Sequence, residues 1–239
     1  METIGIAGVF ALAGMVKGIT GMGLPTVGVT LLGLWMAPEA AAALLVMPGL
    51  ATNVAQCRGP HLKSLVQRFW PLWVALVAAT VWMPQLPGSW PLGAHSILGG
   101  VLLAYGAWGL WRPRLPDLAG RAPWLGPFAG AASGVLTALT AVTVIPLVPY
   151  LQALKLDKDE MVQALGLTFG IGMLAIAVRL HATGQPLILT PQAVLALLAA
   201  FAGQQLGNRL RARMSVVTFQ RGLLVTFVCM GAVNLLRGG

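Results

Sequence analysis

The chain has 239 residues, of which 57% are hydrophobic and only 9% charged, and its mean hydropathy is +0.82. Soluble domains carry about a quarter charged residues, so this composition excludes a soluble enzyme or binding module and defines an integral membrane protein. The formal charge of +9 would suggest nucleic-acid binding in a soluble chain, but the basic residues sit in short loops beside apolar runs, as orientation signals do, and no nucleic-acid partner is expected.

Met1-Glu2-Thr3-Ile4 offers no positive n-region and no small-residue cleavage site, so the first apolar run is expected to stay in the mature protein. Apolar stretches then cover 4–36, 38–56, 69–86, 92–111, 124–154, 161–178, 187–206 and 216–236, eight stretches in two sets of four. The first and fifth run to roughly 30 residues, or ~45 Å of helix, against a hydrocarbon core of ~30 Å. Gly18-Ile-Thr-Gly21-Met-Gly23-Leu-Pro25 interrupts the first, and Gly130 to Gly134 together with Pro146 and Pro149 interrupt the fifth. Both are expected to be broken helices that turn back inside the membrane or cross it twice. Irregular backbone at that depth survives only inside protein or around a watery cavity. A kink satisfied by neighbouring helices is the purely structural alternative.

Cytoplasmic loops collect Lys and Arg, and the loops differ sharply in charge. The loop with Arg58, Lys63 and Arg68 is basic and the next, at 84–91, is bare; in the second half the loop at 183–190 is bare and the following one carries Arg209, Arg211 and Arg213. Corresponding loops therefore face opposite sides. With an odd number of net crossings per half, the twelve residues Arg58, Lys63, Arg68, Arg112, Arg114, Arg121, Lys155, Lys158, Arg209, Arg211, Arg213 and Arg221 lie inside and only Arg179 and Arg237 outside. The expected fold is an all-α polytopic membrane protein forming a single membrane domain over 1–239. Its two inverted repeats, 1–115 and 120–239, each hold one broken (re-entrant or hairpin) helix plus three transmembrane helices. Both termini and Gln185 are then extracytoplasmic and Asp157 cytoplasmic, in the cell membrane. Inverted halves with broken helices form the pattern of a secondary transporter whose substrate binds near the midplane.

All six acids, Glu2, Glu39, Asp117, Asp157, Asp159 and Glu160, fall at span ends or in loops. No carboxylate is available for a proton relay or a cation site at the bilayer centre. The interior instead offers one cation, Lys17, together with hydroxyls and amides, an inventory that suits an anion. Half-helix N-termini favour negative charge. Gly18, Gly21 and Gly23 allow close backbone approach, and Pro25 suits a first helical turn. Asn53 and Gln56 share a helix face and serve equally well as site lining or as helix–helix glue; Lys17 could equally snorkel to the interface. An offset of 116 residues pairs Gly14 with Gly130, Gly18 with Gly134 and Thr52 with Thr168, but Asn53 with Phe169, whereas Pro25 and Pro146 are 121 apart. The candidate substrate-binding set is Lys17, Gly18, Thr20, Gly21, Gly23, Thr26, Thr52, Asn53, Gln56, Ser133, Thr137, Thr140 and Thr168.

Other features are bland. Cys57 and Cys229 read as apolar packers. His61, His95 and His181 lack partners at metal-ligand spacing, Arg179 reads as an interface anchor, and the tryptophans, including Trp70, Trp73, Trp82, Trp90, Trp108, Trp111 and Trp124, read as aromatic belts. Gly203 and Gly207 have small-xxx-small spacing. No nucleophile elbow, metalloprotease or P-loop motif is present, so neither catalysis, nor a metal, nor a cofactor is expected.

The order of Gly14-x-x-x-Gly18-x-x-Gly21-x-Gly23-x-Pro25, Thr52-Asn53-x-x-Gln56, Gly130-x-x-x-Gly134, Pro146-Leu-Val-Pro-Tyr150-Leu151 and Gly203-x-x-x-Gly207-x-x-Leu210, followed by Phe219, Arg221 and Gly231, resembles the sulfite exporter TauE/SafE (TSUP) family over nearly the whole chain. The resemblance implies a carrier for small sulfur-containing anions such as sulfite, sulfate, thiosulfate or organosulfonates, driven by the proton motive force. Thr137, Thr140 and Thr143 replace the glycine cluster expected after Gly134, and Lys17 departs from the family pattern. The leading expectation is a secondary anion transporter working by alternating access, with a protonated substrate such as bisulfite carrying the coupling proton. A passive anion channel or uniporter is the alternative. A non-transporting membrane subunit or intramembrane enzyme would need a catalytic pair, for which Ser133 with Lys17 is the only arithmetic possibility. The expected partners are the anion, protons and the lipid bilayer, with oligomerisation left open.

Overall fold

A chain without water around it must pair its backbone groups within itself, and helices do so segment by segment. The computed structural model describes residues 2–36, 38–84, 94–111, 118, 122–184, 190–211 and 216–237, and all regular structure among them is helical. In order these are α1 (Glu2–Thr20), α2 (Leu24–Leu32), α3 (Pro38–Cys57), α4 (Leu62–Trp82), α5 (Ala94–Trp111), α6 (Ala122–Thr140), α7 (Leu147–Ala153), α8 (Lys158–Ala182), α9 (Pro191–Arg211) and α10 (Val216–Arg237). Four of the described helices contain stretches long and apolar enough to cross a membrane, Thr3–Thr20, Ala40–Cys57, Leu62–Trp82 and Asp159–Ala182; Ser96–Trp111 and Leu224–Leu236 are shorter apolar stretches. Residues 112–117, 119–121 and 212–215, which carry Arg112, Arg114, Asp117, Arg121 and Arg213, together with Trp90 and Gln185, lie outside the described residues.

Both long apolar runs are split, the first into α1 and α2 and the fifth into α6 and α7. The first break falls at Gly21 to Gly23, both glycines with positive φ (83° and 104°), and Pro25 occupies the first turn of α2. The second break falls at 141–146. The expectation that Gly130 to Gly134 interrupts the fifth run is corrected: both glycines lie inside continuous α6. They sit instead where α6 meets α4, because a Cβ at Gly130 or Gly134 would collide with the carbonyls of Leu72 and Leu76. Pro146 precedes α7 and Pro149 lies in its first turn.

Close approach at glycine also shows how the helices run. Gly14 lies on Ala200 and Gly18 on Gln204, so α1 and α9 are parallel; Gly130 on Leu72 and Gly134 on Leu76 make α6 and α4 parallel. Gly49 against Met173, Gly166 against Gln56 and Gly59 against Gln163 make α3 and α8 antiparallel, as Gly99 against Gly231 and Gly109 against Leu224 do for α5 and α10. These four pairs carry most of the packing, and α3 touches α9 as α8 touches α4. Apolar side chains such as Trp70, Val74, Leu174, Val178 and Leu198 are exposed, the arrangement lipid requires. Trp73 is corrected: it is buried at 7% exposure rather than part of a belt.

Helix pairs without a hydrophobic driving force depend on such backbone proximity. Gly203, whose Cβ would strike the Ala11 carbonyl, should therefore tolerate no substitution, whereas Gly8 faces open space. Gly203→Ala is expected to lower the thermal midpoint in detergent by several degrees, while Gly8→Ala leaves it unchanged or raises it through the better helix propensity of alanine. Differential scanning fluorimetry of the two variants checks this.

Candidate functional site

The two breaks are built alike. Each helix before the break ends on a threonine, Thr20 or Thr140, whose hydroxyl lies within hydrogen-bond reach of the carbonyl four residues back (Val16 at 2.9 Å, Leu136 at 2.7 Å) and accepts the N–H two residues on (Met22 at 3.3 Å, Val142 at 3.2 Å). The next residue, Gly21 or Ala141, donates back to the carbonyl of Lys17 or Thr137 at 2.7 and 2.8 Å and takes positive φ. The hydroxyl satisfies part of what the helix end leaves unpaired. Gly21 has open space where a Cβ would stand.

Around the first break the polar residues converge. Lys17, on the last turn of α1, is 2% exposed and donates from Nζ to Thr52 Oγ1 at 2.9 Å and to Asn53 Oδ1. The Thr52 proton goes to the Pro48 carbonyl at 2.6 Å, which turns an oxygen lone pair toward the lysine. An ammonium has three donors, and the Lys17 partners are two neutral oxygens, so a donor and the whole charge are left uncompensated. The exposed Asp157 and Asp159 and the half-buried Glu160 stand at the start of α8. Because its oxygen serves Lys17, Asn53 presents its amide N–H groups, and this buried nitrogen has no partner. Gln56 Nε2 donates to the Gly21 carbonyl at 2.9 Å, tying α3 to the break, and leaves Oε1 buried without a donor. Across the α3–α8 contact Asn53 faces Gly170, where an added Cβ would stand 3.7 Å from that of Asn53.

The remaining sequence candidates divide. Gly23 and Thr26 are buried at the start of α2 and belong with the break. Gly18 points its bare face at α9. Thr137 donates to the Ser133 carbonyl at 2.6 Å and lies 2.8 Å from Thr143 Oγ1, so its hydroxyl is used within the second break, where Thr140 also stands. Ser133 Oγ is buried and unpartnered. Thr168 donates to the Ala164 carbonyl at 2.7 Å within α8 and accepts Trp73 Nε1–H at 2.9 Å, so its donor is spent inside its own helix and its oxygen joins α4 to α8. Arg179 donates to the carbonyls of Thr80 at 3.1 Å and of Met83, closing the end of α4 as a basic side chain can.

Sequence reasoning missed three neighbours of the site. Gly166 and Gly170 admit α3 against α8, and their G-x-x-x-G spacing was a readable signal. Cys57, four residues after Asn53 and so on its helix face, lies within the electrostatic reach of Lys17.

A bundle of apolar helices with two broken elements and a buried lysine beside one of them defines an α-helical membrane protein. Among known families, the sequence profile described as Sulfite exporter TauE/SafE matches residues 6–234. The chain belongs to the TauE/SafE sulfite exporter family. Searches of the curated proteins and of the solved structures gave no match.

The Trp73–Thr168 bond joins α4 to α8 and shares no partner with the bonds of Lys17 and Gln56. Trp73→Phe is expected to cost about 1 kcal/mol, about 2–4 °C in thermal midpoint, while the stabilisation produced by added sulfite stays as in the wild type. Thermal melts with and without sulfite measure both quantities.

Proposed function

We propose that this protein moves a small sulfur oxyanion or organosulfonate across the cytoplasmic membrane by alternating access, with the anion bound at Lys17 and Asn53 beside the first break. The observation that carries this reading is the set of buried groups without counterparts: a lysine charge, its third N–H and the Asn53 amide. Burying them without a partner is costly, and an anion supplies what all three lack. The role is transport and not catalysis, in keeping with the family. Coupling to the proton motive force runs through the protonated substrate, since among the described residues no acid bonds to Lys17.

The mechanism needs two halves that rock against each other. We read α1–α5 and α6–α10 as inverted repeats. Exchanging the two sets of five turns the α1–α9 pair into the α6–α4 pair and maps α3–α8 and α5–α10 onto themselves, with the observed directions kept. Under that exchange Asn53 corresponds to Phe169, next to the Gly170 it faces, so the site lies beside the pseudo-two-fold axis. The site alternates between the two faces as one half turns against the other, and Thr26 and Ser133 line it from the elements at either side. The termini and Thr183 are then extracytoplasmic, and Asp157 cytoplasmic.

Two experiments test this. In proteoliposomes labelled sulfite should show saturable counterflow, which Lys17→Gln lowers by at least about tenfold, the effect of losing one charge-assisted bond; Arg209→Gln, at an exposed position, keeps it. Flux without trans-stimulation would instead identify a channel. For orientation, an impermeant thiol reagent applied outside cells to a Cys57→Ala, Cys229→Ala background should label Thr183→Cys and spare Asp157→Cys. Equal labelling of both refutes the inverted arrangement.

A further inference from the structure

The charge inventory of the site says more than that an anion binds. We infer that the site is matched to a single negative charge, so that singly charged sulfur oxyanions, bisulfite or an alkylsulfonate, are bound in preference to the doubly charged sulfate and thiosulfate. This rests on the transport reading above and deepens it to a substrate class.

Three observations carry it. Lys17 is the only charged side chain buried among the described residues. Among the described residues the second half brings no second buried cation; the counterparts of Lys17 and Asn53 at the offset of 116 are Ser133 and Phe169, and Arg179, half-buried, is committed to the carbonyls at the end of α4. One ammonium neutralises one charge, and a dianion would leave the other uncompensated in a low-dielectric interior, where that is expensive. The helix end at α2 offers only about half a charge.

The count of donors agrees. The third N–H of Lys17 and two of Asn53 make three, one for each oxygen of a sulfonate head. The third observation is Gln56 Oε1, a buried acceptor without a donor one turn beyond Asn53 on the same face. A carbonyl oxygen there repels additional oxyanion charge and accepts a hydrogen bond from a protonated oxygen. Bisulfite supplies such a proton; sulfate, thiosulfate and an alkylsulfonate do not, so the alkylsulfonate is favoured over the dianions by its charge alone.

The ionisable groups around Lys17 are few. Cys57 on α3 is the one whose charge couples to it. α2 has none, α9 carries the exposed Arg209, and α10 carries the exposed Arg221 and Cys229. A pH series on sulfite therefore needs a ligand of fixed charge as its reference, which methanesulfonate provides.

In proteoliposomes, counterflow of labelled sulfite is competed with methanesulfonate and with sulfate, and the apparent affinities of sulfite and methanesulfonate are followed over a pH series. Methanesulfonate is expected to compete at least about tenfold more strongly than sulfate, one decade for the uncompensated charge. The affinity for total sulfite relative to methanesulfonate should fall as pH rises through the range where bisulfite loses its proton. Sulfate competing as well as methanesulfonate, or a ratio that stays flat with pH, overturns the inference while leaving the transport reading intact. Absence of saturable counterflow with every anion overturns both. Folded, monodisperse Lys17→Gln should lose the methanesulfonate-over-sulfate preference; where that variant does not fold, the wild-type pH series decides.

Discussion

An ammonium at 2% exposure inside an apolar bundle sets the terms for everything around it. Lys17 can be held there only if other groups offer it oxygen, and α3 does so with Thr52 and Asn53. That requirement fixes the rotation of α3 and brings Gln56 to the Gly21 carbonyl. It also turns the Asn53 amide nitrogen away from the protein's own acceptors. Neutral oxygens relieve the desolvation of the lysine without cancelling its charge.

That arrangement depends in turn on backbone proximity. α3 lies against α8 through Gly49, Gly59, Gly166 and Gly170, and α1 lies against α9 through Gly14, Gly18, Gly203 and Gly207. In a membrane such contacts supply the association that the hydrophobic effect supplies in water. Larger residues there would push α1 and α3 apart and separate Lys17 from its partners. Glycine in this chain thus serves two distinct ends, since among the described residues only Gly21, Gly23 and Gly184 need it for positive φ.

The two breaks share a local device and differ in chemistry. Thr20 and Thr140 are 120 residues apart and end their helices in the same way, while the glycine pairs that pack α1 and α6 are 116 apart. One additional turn of α6 between glycines and break accounts for the difference. It explains why no single offset aligns the halves; the second break differs further in having Ala141 in place of a glycine and threonines bonded to one another or to backbone.

Composition and hydropathy were sufficient to read a helical membrane protein, because lipid leaves an apolar chain few alternatives to the helix. The two overlong runs and the cluster at Gly21 to Pro25 were likewise enough to place the first break, since positive φ and a first-turn proline are local properties of the chain. The expected break at Gly130 to Gly134 was misplaced because G-x-x-x-G serves a bend and a tight helix crossing alike, and only the position of α4 decides between them. The pairing of Lys17 with Thr52 and Asn53 spans 35 and 36 residues, and that of Trp73 with Thr168 spans 95. Sequence by itself determined which polar side chains enter the membrane; the tertiary structure alone decided which of them satisfy one another and which are left without a partner, because hydrogen-bond partnership between helices depends on their packing and not on their order along the chain.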